Sequence, residues 1–353
     1  MNKIINILKK KPLPLDKFIN ISLYNKNFGY YMKKNPFGEH GDYITSPLIS
    51  NLFGEMITIW CVAFWENLGK PNKIIIVEMG PGDGSLCKDI LTTSKNFKDF
   101  YKCLTVKLYE KSTKLKNIQK TKIKHTKIEW IDSLSKLKDG PIIFLGNEFF
   151  DSLPIKQFHK KKKKIYEKYV VFSKKEKKIK FLFKKANKYL IKNIKNLNLF
   201  SRDGVIEYPF DSIKYLKIIS KKITKYNGGL LVFDYGYTKK KNKNTLKSIS
   251  RHKHVDILFN PGHADITSHI NYDLFSNILV KENLKVQKVV SQSEFLQKLG
   301  IIERANLLSK KMNFKTKADI FYRLKRLLHY RMMGDLFKVL FARKKNNKFS
   351  LGF

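Results

Sequence analysis

Arginine is nearly missing from this chain, with seven residues against sixty-five lysines. A protein that reads phosphate backbones gathers arginine into one patch with interleaved aromatics. Lysine spread along almost the whole chain makes no such patch. The net charge of +43 therefore reads as compositional drift: Lys, Ile, Asn, Phe and Tyr are all abundant, and all have A/T-rich codons. Nucleic acid is disfavoured as a partner, although acidic partners would still be drawn to such a surface. Cysteine is also thin. Cys61, Cys87 and Cys103 form no close pair, which argues against a disulfide framework or a zinc ribbon and for a reducing compartment. No apolar run approaches the ~20 residues of a membrane helix. Residues 1–11 are too lysine-studded for a secretion signal and lack the arginine of a transit peptide. The expected location is cytoplasmic.

What is present is a globular composition, 42% hydrophobic and 13% aromatic over 353 residues, enough for one large or two modest domains. The organising stretch is Ile74-Ile75-Ile76-Val77-Glu78-Met79-Gly80-Pro81-Gly82-Asp83-Gly84-Ser85. A β-branched run ending on an acid reads as a buried parallel strand. Alternating glycines then allow a turn with positive φ and close approach of a ligand. Helical spacing follows through Leu86, Ile90 and Leu91, and a helix start favours anionic groups. The dinucleotide fingerprint needs one more residue between its last two glycines, and no phosphate-loop lysine follows Gly84. An acid before the glycines suits a ligand with a cationic end. The arrangement resembles motif I of Rossmann-like S-adenosylmethionine (SAM) methyltransferases, which implies that Glu78, Gly80, Gly82 and Gly84 hold the cofactor.

The remaining elements fall in order around that unit. A helix is expected over 14–25. An aromatic and glycine-rich loop follows to Pro47, with Tyr30, Thr45 and Ser46 as candidate lid or substrate contacts. Ser50 is placed to cap a helix ending near Gly69. Leu104–Glu110 reads as the second strand, with Glu110 placed to accept both hydroxyls of a ribose. Ser112 can cap the next helix. Ile128–Leu134 is a short third strand and its exit, where Asp132 either meets an adenine amino group or caps a helix. Pro141–Gly146 is the fourth strand, delivering Asn147, Glu148 and Asp151 to the pocket rim. DNA and RNA amino-methyltransferases carry Asn/Asp-Pro-Pro-aromatic there; Glu148 and Phe149 replace both prolines, which argues for a cationic acceptor. A β-hairpin is expected over 166–183, a basic helix or loop over 185–197, and a re-entry to the core at Val205–Pro209. Leu230–Tyr237 is the fifth strand. The histidine-rich stretch 251–269 reads as a loop, and its spacing fits no metal site. Helices follow over 275–282, 293–299 and 302–308, with a sixth strand at Val286–Val290. Thr316 is placed to cap a helix to His329, and Gly334–Ala342 is a last, antiparallel edge strand.

Together these pieces resemble the MidA-like SAM-dependent methyltransferases, a family that includes the mitochondrial arginine methyltransferase of respiratory complex I assembly. The resemblance rests on Gly29-Tyr30-Tyr31, Gly41-Asp42-Tyr43-Ile44-Thr45-Ser46-Pro47, Phe53-Gly54-Glu55, Glu78 to Gly84, Asn147-Glu148-Phe149-Phe150-Asp151-Ser152-Leu153-Pro154, Asp234-Tyr235-Gly236, Gly262-His263-Ala264-Asp265-Ile266-Thr267, Phe295 to Gly300 and Phe337-Lys338-Val339. Tyr43 departs from the usual phenylalanine. The family implies an α/β fold: a Rossmann-like class I sheet with a helical N-terminal extension and an inserted β-hairpin/helical region covering the substrate. The corresponding division is 1–70 as N-terminal lid segment, 71–159 as first half of the core, 160–204 as insertion, and 205–353 as the rest, with loop 245–270 and C-terminal helices. It also implies SAM as cofactor and transfer of methyl to protein arginine, for the mitochondrial member on an NADH dehydrogenase subunit. Glu148 is the first catalytic candidate, with Asp151 and Asp42; Asn147 joins the cofactor set, and His263 and Asp265 the substrate or lid set. A SAM-binding assembly factor without turnover, or a nucleic-acid or small-molecule methyltransferase, are the alternatives.

Overall fold

The computed structural model describes residues 3–33, 36, 42, 45–197, 199–200, 202–239 and 243–353. In it the run at Ile74 becomes strand β1 (Ile74–Met79), buried along its whole length. Alternate side chains go to opposite faces: Ile74 and Ile76 join one apolar cluster, Ile75, Val77 and Met79 another. Such two-sided burial is what a continuous apolar strand requires. The strands β2 (Leu104–Tyr109), β3 (Ile128–Ile131), β4 (Ile142–Asn147) and β5 (Gly228–Tyr237) complete the parallel part. Four further strands are β6 (Ile270–Asn271), β7 (Leu284–Val286), β8 (Val290–Ser291) and β9 (Phe337–Lys344). The order across the sheet is β7-β9-β5-β4-β1-β2-β3. It reverses between β1 and β4, so their carboxyl ends open a crevice at the position where open α/β sheets bind ligands.

Helix Asn51–Asn67 covers one face, with Ser50 accepting from the Leu52 N–H as its cap. Helices Phe210–Tyr226 and Tyr272–Lys281 cover the other. A third apolar cluster joins the N-terminal helices Lys3–Lys10 and Leu15–Tyr24 to Tyr30, Tyr31 and a smaller five-stranded sheet. The expected hairpin is the outer part of that sheet, Lys164–Ser173 against Lys178–Lys185.

Five local readings are corrected. Val205–Pro209 does not return to the core: Gly204–Tyr208 pairs with Lys156–Lys160 in the smaller sheet, and the return is made by helix Phe210–Tyr226. Val286–Val290 is two strands, because the chain leaves β9 between them. Strand β9 is antiparallel but interior, flanked by β5 and β7. The cap before residue 316 is Asn313, whose side chain accepts from the Thr316 N–H. The histidine-rich stretch is not wholly loop: Lys247–Ser250, Lys253–Val255 and Asp265–Thr267 form a small sheet. The expected loop before Pro47 is described over residues 26–33, where Tyr30–Lys33 is a short helix, at Pro36 and Asp42, and from Thr45 on; Gly41, Tyr43 and Ile44 lie outside the described residues. No helix among the described residues is long and apolar enough to cross a membrane.

Candidate active site

The β1 turn and the end of β4 form a cleft of about 910 Å³, lined by Glu78, Gly80, Gly82, Glu110, Asn147 and Glu148 among others. Gly80, Gly82 and Gly84 adopt φ of 63°, 56° and 85°, the left-handed region that glycine occupies without steric cost. A Cβ on Gly80 would lie 2.9 Å from the Phe149 ring, and one on Gly84 would lie 2.6 Å from Ile123 Cδ1. Thus Gly80 guards the pocket, whereas Gly84 serves helix packing and does not line the cleft. The first N–H of helix Ser85–Ser94 is already taken by Asp83 Oδ1 at 3.0 Å. Glu78 is 3% exposed, and its Oε2 has no hydrogen-bond partner. Burial, then the charges of Asp83 and Asp89, push its carboxyl up to about 8. Asn147 Oδ1 is likewise buried without a partner. Glu110 accepts from the Ser112 N–H at 2.7 Å and from Gln119 Nε2. Gln119 also donates to the Gly82 carbonyl at 2.8 Å, locking the glycine turn to the second strand's exit.

A second cavity, of about 860 Å³, shares Tyr31 and Glu148 with the first and adds Asp151, Tyr235, His254, Asp265 and His269. Glu148 sits at φ 52°, its N–H bound to the Phe233 carbonyl at 2.9 Å. Its carboxylate accepts from the Ser46 N–H and from Asn147 Nδ2. Burial first and Asp151 second hold it well above the usual carboxylate range. Asp151 is pushed up to about 8 by burial and by Asp265. Asp265 rises to about 6 through burial, moderated by the Tyr31 hydroxyl, which donates to its Oδ1 at 2.7 Å. Asp234, fully buried at the end of β5, accepts the N–H groups of Phe150 and Asp151 at 3.0 and 3.2 Å. It fixes the turn that carries Glu148 and Asp151. None of the ion pairs among the described residues involves Glu148, Asp151, Asp234 or Asp265.

Residues 56–290 match the family of S-adenosyl-L-methionine-dependent methyltransferases. The chain belongs to that family. It is 30% identical to the protein arginine methyltransferase NDUFAF7, mitochondrial, of Xenopus laevis, covering 95% of this chain and 82% of that one. It is 31% identical to the NDUFAF7 homolog of Caenorhabditis elegans, covering 84% and 75%. A COG1565 superfamily protein from Burkholderia thailandensis, solved with S-adenosyl-homocysteine, shares the fold with a TM-score of 0.80 at 18% identity over 97% and 90% of the two chains.

The cofactor of this methyltransferase is SAM, and the cleft fits it. Glu78 Oε2 and Asn147 Oδ1 are buried acceptors in want of donors, and the amino and hydroxyl groups of such a ligand supply them. Of the residues expected from sequence, Glu78, Gly80, Gly82, Glu110, Asn147, Glu148 and Thr45 come together around the cleft, and Asp151 and Asp265 around the second cavity. Others line neither cavity. Asp132 is exposed and paired with Lys116 at 2.5 Å. His263 is exposed on the surface. Asp42 is buried as a tie, accepting the Tyr30 hydroxyl and the Arg251 N–H. Ser46 contributes its backbone to Glu148 and its hydroxyl to Gln292. Sequence reasoning passed over Tyr31, Gln119 and Tyr215 as site residues. Gln119 had one available signal, an uncharged polar residue in a lysine-rich helix.

Proposed function

We propose that this methyltransferase acts on arginine side chains of a protein, with the guanidinium held in the cavity of Glu148, Asp151 and Asp265. One observation carries the reading: buried Glu148, which lines both cavities, and buried Asp151 and Asp265, which line the second beside Lys247, form no ion pair among the described residues, in a chain of net charge +43. Buried like charges raise one another's pKa until a cation arrives. A guanidinium, with pKa above ~12, arrives charged. It reverses the repulsion and releases the protons that Asp151 and Glu148 otherwise retain. The carboxylates can then grip its planar fork bidentately.

When bound, SAM supplies an electrophilic methyl on a sulfonium. Glu78, Glu110 and Asn147 would hold it, with Gly80 and Gly82 giving backbone room. Glu148 orients the acceptor nitrogen and takes its departing proton on the carboxylate, a role general bases fill for ~10²–10⁴-fold in rate. Asp234 keeps Glu148 and Asp151 in place through the N–H groups it accepts. The relatives' printed names support arginine as acceptor. A subunit of an NADH dehydrogenase, which the family resemblance implies, is the first candidate substrate. Three free cysteines support a reducing compartment, by our reading the cytoplasm.

The test is incubation with isotope-labelled SAM and a lysate from a strain lacking the protein, followed by mass spectrometry. Label on arginine nitrogen of a protein is expected. Label confined to lysine, nucleic acid or small molecules would overturn the proposal.

A further inference from the structure

We infer that the protein acceptor presents its arginine within an acidic, apolar-bearing segment, and that this segment docks on a basic, aromatic surface formed by residues 307–336. The inference rests on the arginine reading given above. Among the described residues, seven of the thirteen exposed large apolar side chains lie in that stretch. Phe314 is 87% and Tyr322 62% exposed. Between residues 310 and 331 stand eight basic side chains against one acid, Asp319. Three of the chain's seven arginines, Arg323, Arg326 and Arg331, fall in that stretch, Arg323 in an ion pair with Asp319. Lysine is general in this chain, but arginine gathers here, and arginine is the cation that grips carboxylates as a fork and stacks on aromatic rings. Arg331 already lies over the Tyr330 ring, 5.3 Å from its centroid.

The surface adjoins the active site. Helix Phe314–Leu328 is anchored by Leu324 and Leu327, while residues 311–319 remain exposed. Arg323 Nη1 donates to the Ile49 carbonyl at 3.1 Å, and the Ser46 hydroxyl meets Met333 Sδ at 3.9 Å. Ser46 in turn gives its N–H to Glu148. Phe337, next to exposed Leu336, packs on Tyr235 of the acidic cavity at 4.0 Å between centroids.

Charge then decides which segment fits. The cavity selects a cation, but the surface around it repels cations. A lysine- or arginine-rich flank meets like charge, which suppresses binding, whereas acidic flanks are drawn in. Apolar side chains of the segment find partners in Phe314 and Tyr322, the residue types that anchor interfaces.

Two fluorescent peptides of equal length test this, each with one arginine and two leucines, one flanked by Asp/Glu and one by Lys. Binding is read by anisotropy with S-adenosyl-homocysteine present, and transfer by labelled SAM. The acidic peptide should bind at least tenfold more tightly, and more weakly as salt rises. A Phe314→Ala/Tyr322→Ala variant and a Lys315→Glu/Lys317→Glu variant should each bind it several-fold more weakly, with unchanged S-adenosyl-homocysteine affinity showing that the fold is intact. Equal binding of the two peptides, or no effect of either variant, overturns the docking surface. So does attachment of the region to phosphatidylserine vesicles, through the same side chains, without peptide preference. Preferential binding of the acidic peptide without methyl transfer supports the surface but removes the arginine reading; transfer without preference does the reverse.

Discussion

Glu148 pays twice for its position, in a left-handed backbone conformation at φ 52° and in a buried carboxylate crowded by Asp151. Such backbone strain costs ~1–3 kcal/mol and persists only where surrounding contacts enforce it; here the Phe233 carbonyl and the Ser46 N–H do so. Glu148→Gln should leave SAM affinity within about twofold and lower kcat by ~10²–10⁴-fold. Calorimetry beside a turnover assay checks it, and equal loss of both would assign Glu148 to cofactor binding instead. Tyr31→Phe should act differently. The hydroxyl favours the charged form of Asp265, so its removal should raise that carboxyl above about 6. The pH at which acceptor KM improves should move upward while kcat at high pH holds; an unmoved profile refutes the role. Glu148 was legible in sequence because it interrupts a recognisable segment at a strand end. Tyr31 was not, since nothing in its neighbours shows a bond to Asp265, 234 residues away.

Among the elements, those with strong local signals were readable. The β-branched run of β1, the apolar runs of β4 and β5, and the Ser50 and Ser112 caps all lie where their patterns put them. The misread elements depend on distant partners. Strands β7 and β8 exist because β9 lies beside them, and Gly204–Tyr208 is a strand because Lys156–Lys161 awaits it. The glycine turn shows both cases. Its conformation was legible, but the reason for Gly84 is Ile123, just past the end of helix Thr113–Lys122. Gly82→Val should abolish SAM binding, since Gly82 lines the cleft at φ 56°; affinity equal to wild type, measured by calorimetry, speaks against the cradle. Gly84→Val should first lower stability, because its side chain would collide with Ile123 Cδ1, and thermal unfolding separates the two effects.

For the whole molecule, the acids of the two cavities set a pH dependence of known sign. Asp151 is raised from 3.8 to about 8. Between those values the folded chain keeps a proton that the unfolded chain releases, so stability falls as pH rises through the window. Asp151→Asn should therefore match wild type near pH 4 and exceed its Tm at pH 8.5 by roughly 2–4 °C per kcal/mol recovered, while losing activity. Scanning calorimetry at the two pH values checks this, and a variant less stable than wild type at pH 8.5 contradicts it. Acceptor binding should respond in the opposite sense, strengthening from pH 6 to 8.5 as the carboxylates ionise and the guanidinium stays charged. None of this was visible in the composition, where a net charge of +43 hides a small acidic interior.

The wall between the cavities also bears on turnover order. Ser112, whose N–H binds Glu110, gives its hydroxyl to the Tyr31 carbonyl at 2.8 Å, and Tyr31 reaches Asp265. Whatever settles against Glu110 thereby stiffens the far chamber through one tyrosine. Steady-state kinetics should then be ordered, with the nucleoside donor adding first and the spent donor leaving last, and product-inhibition patterns would record that sequence.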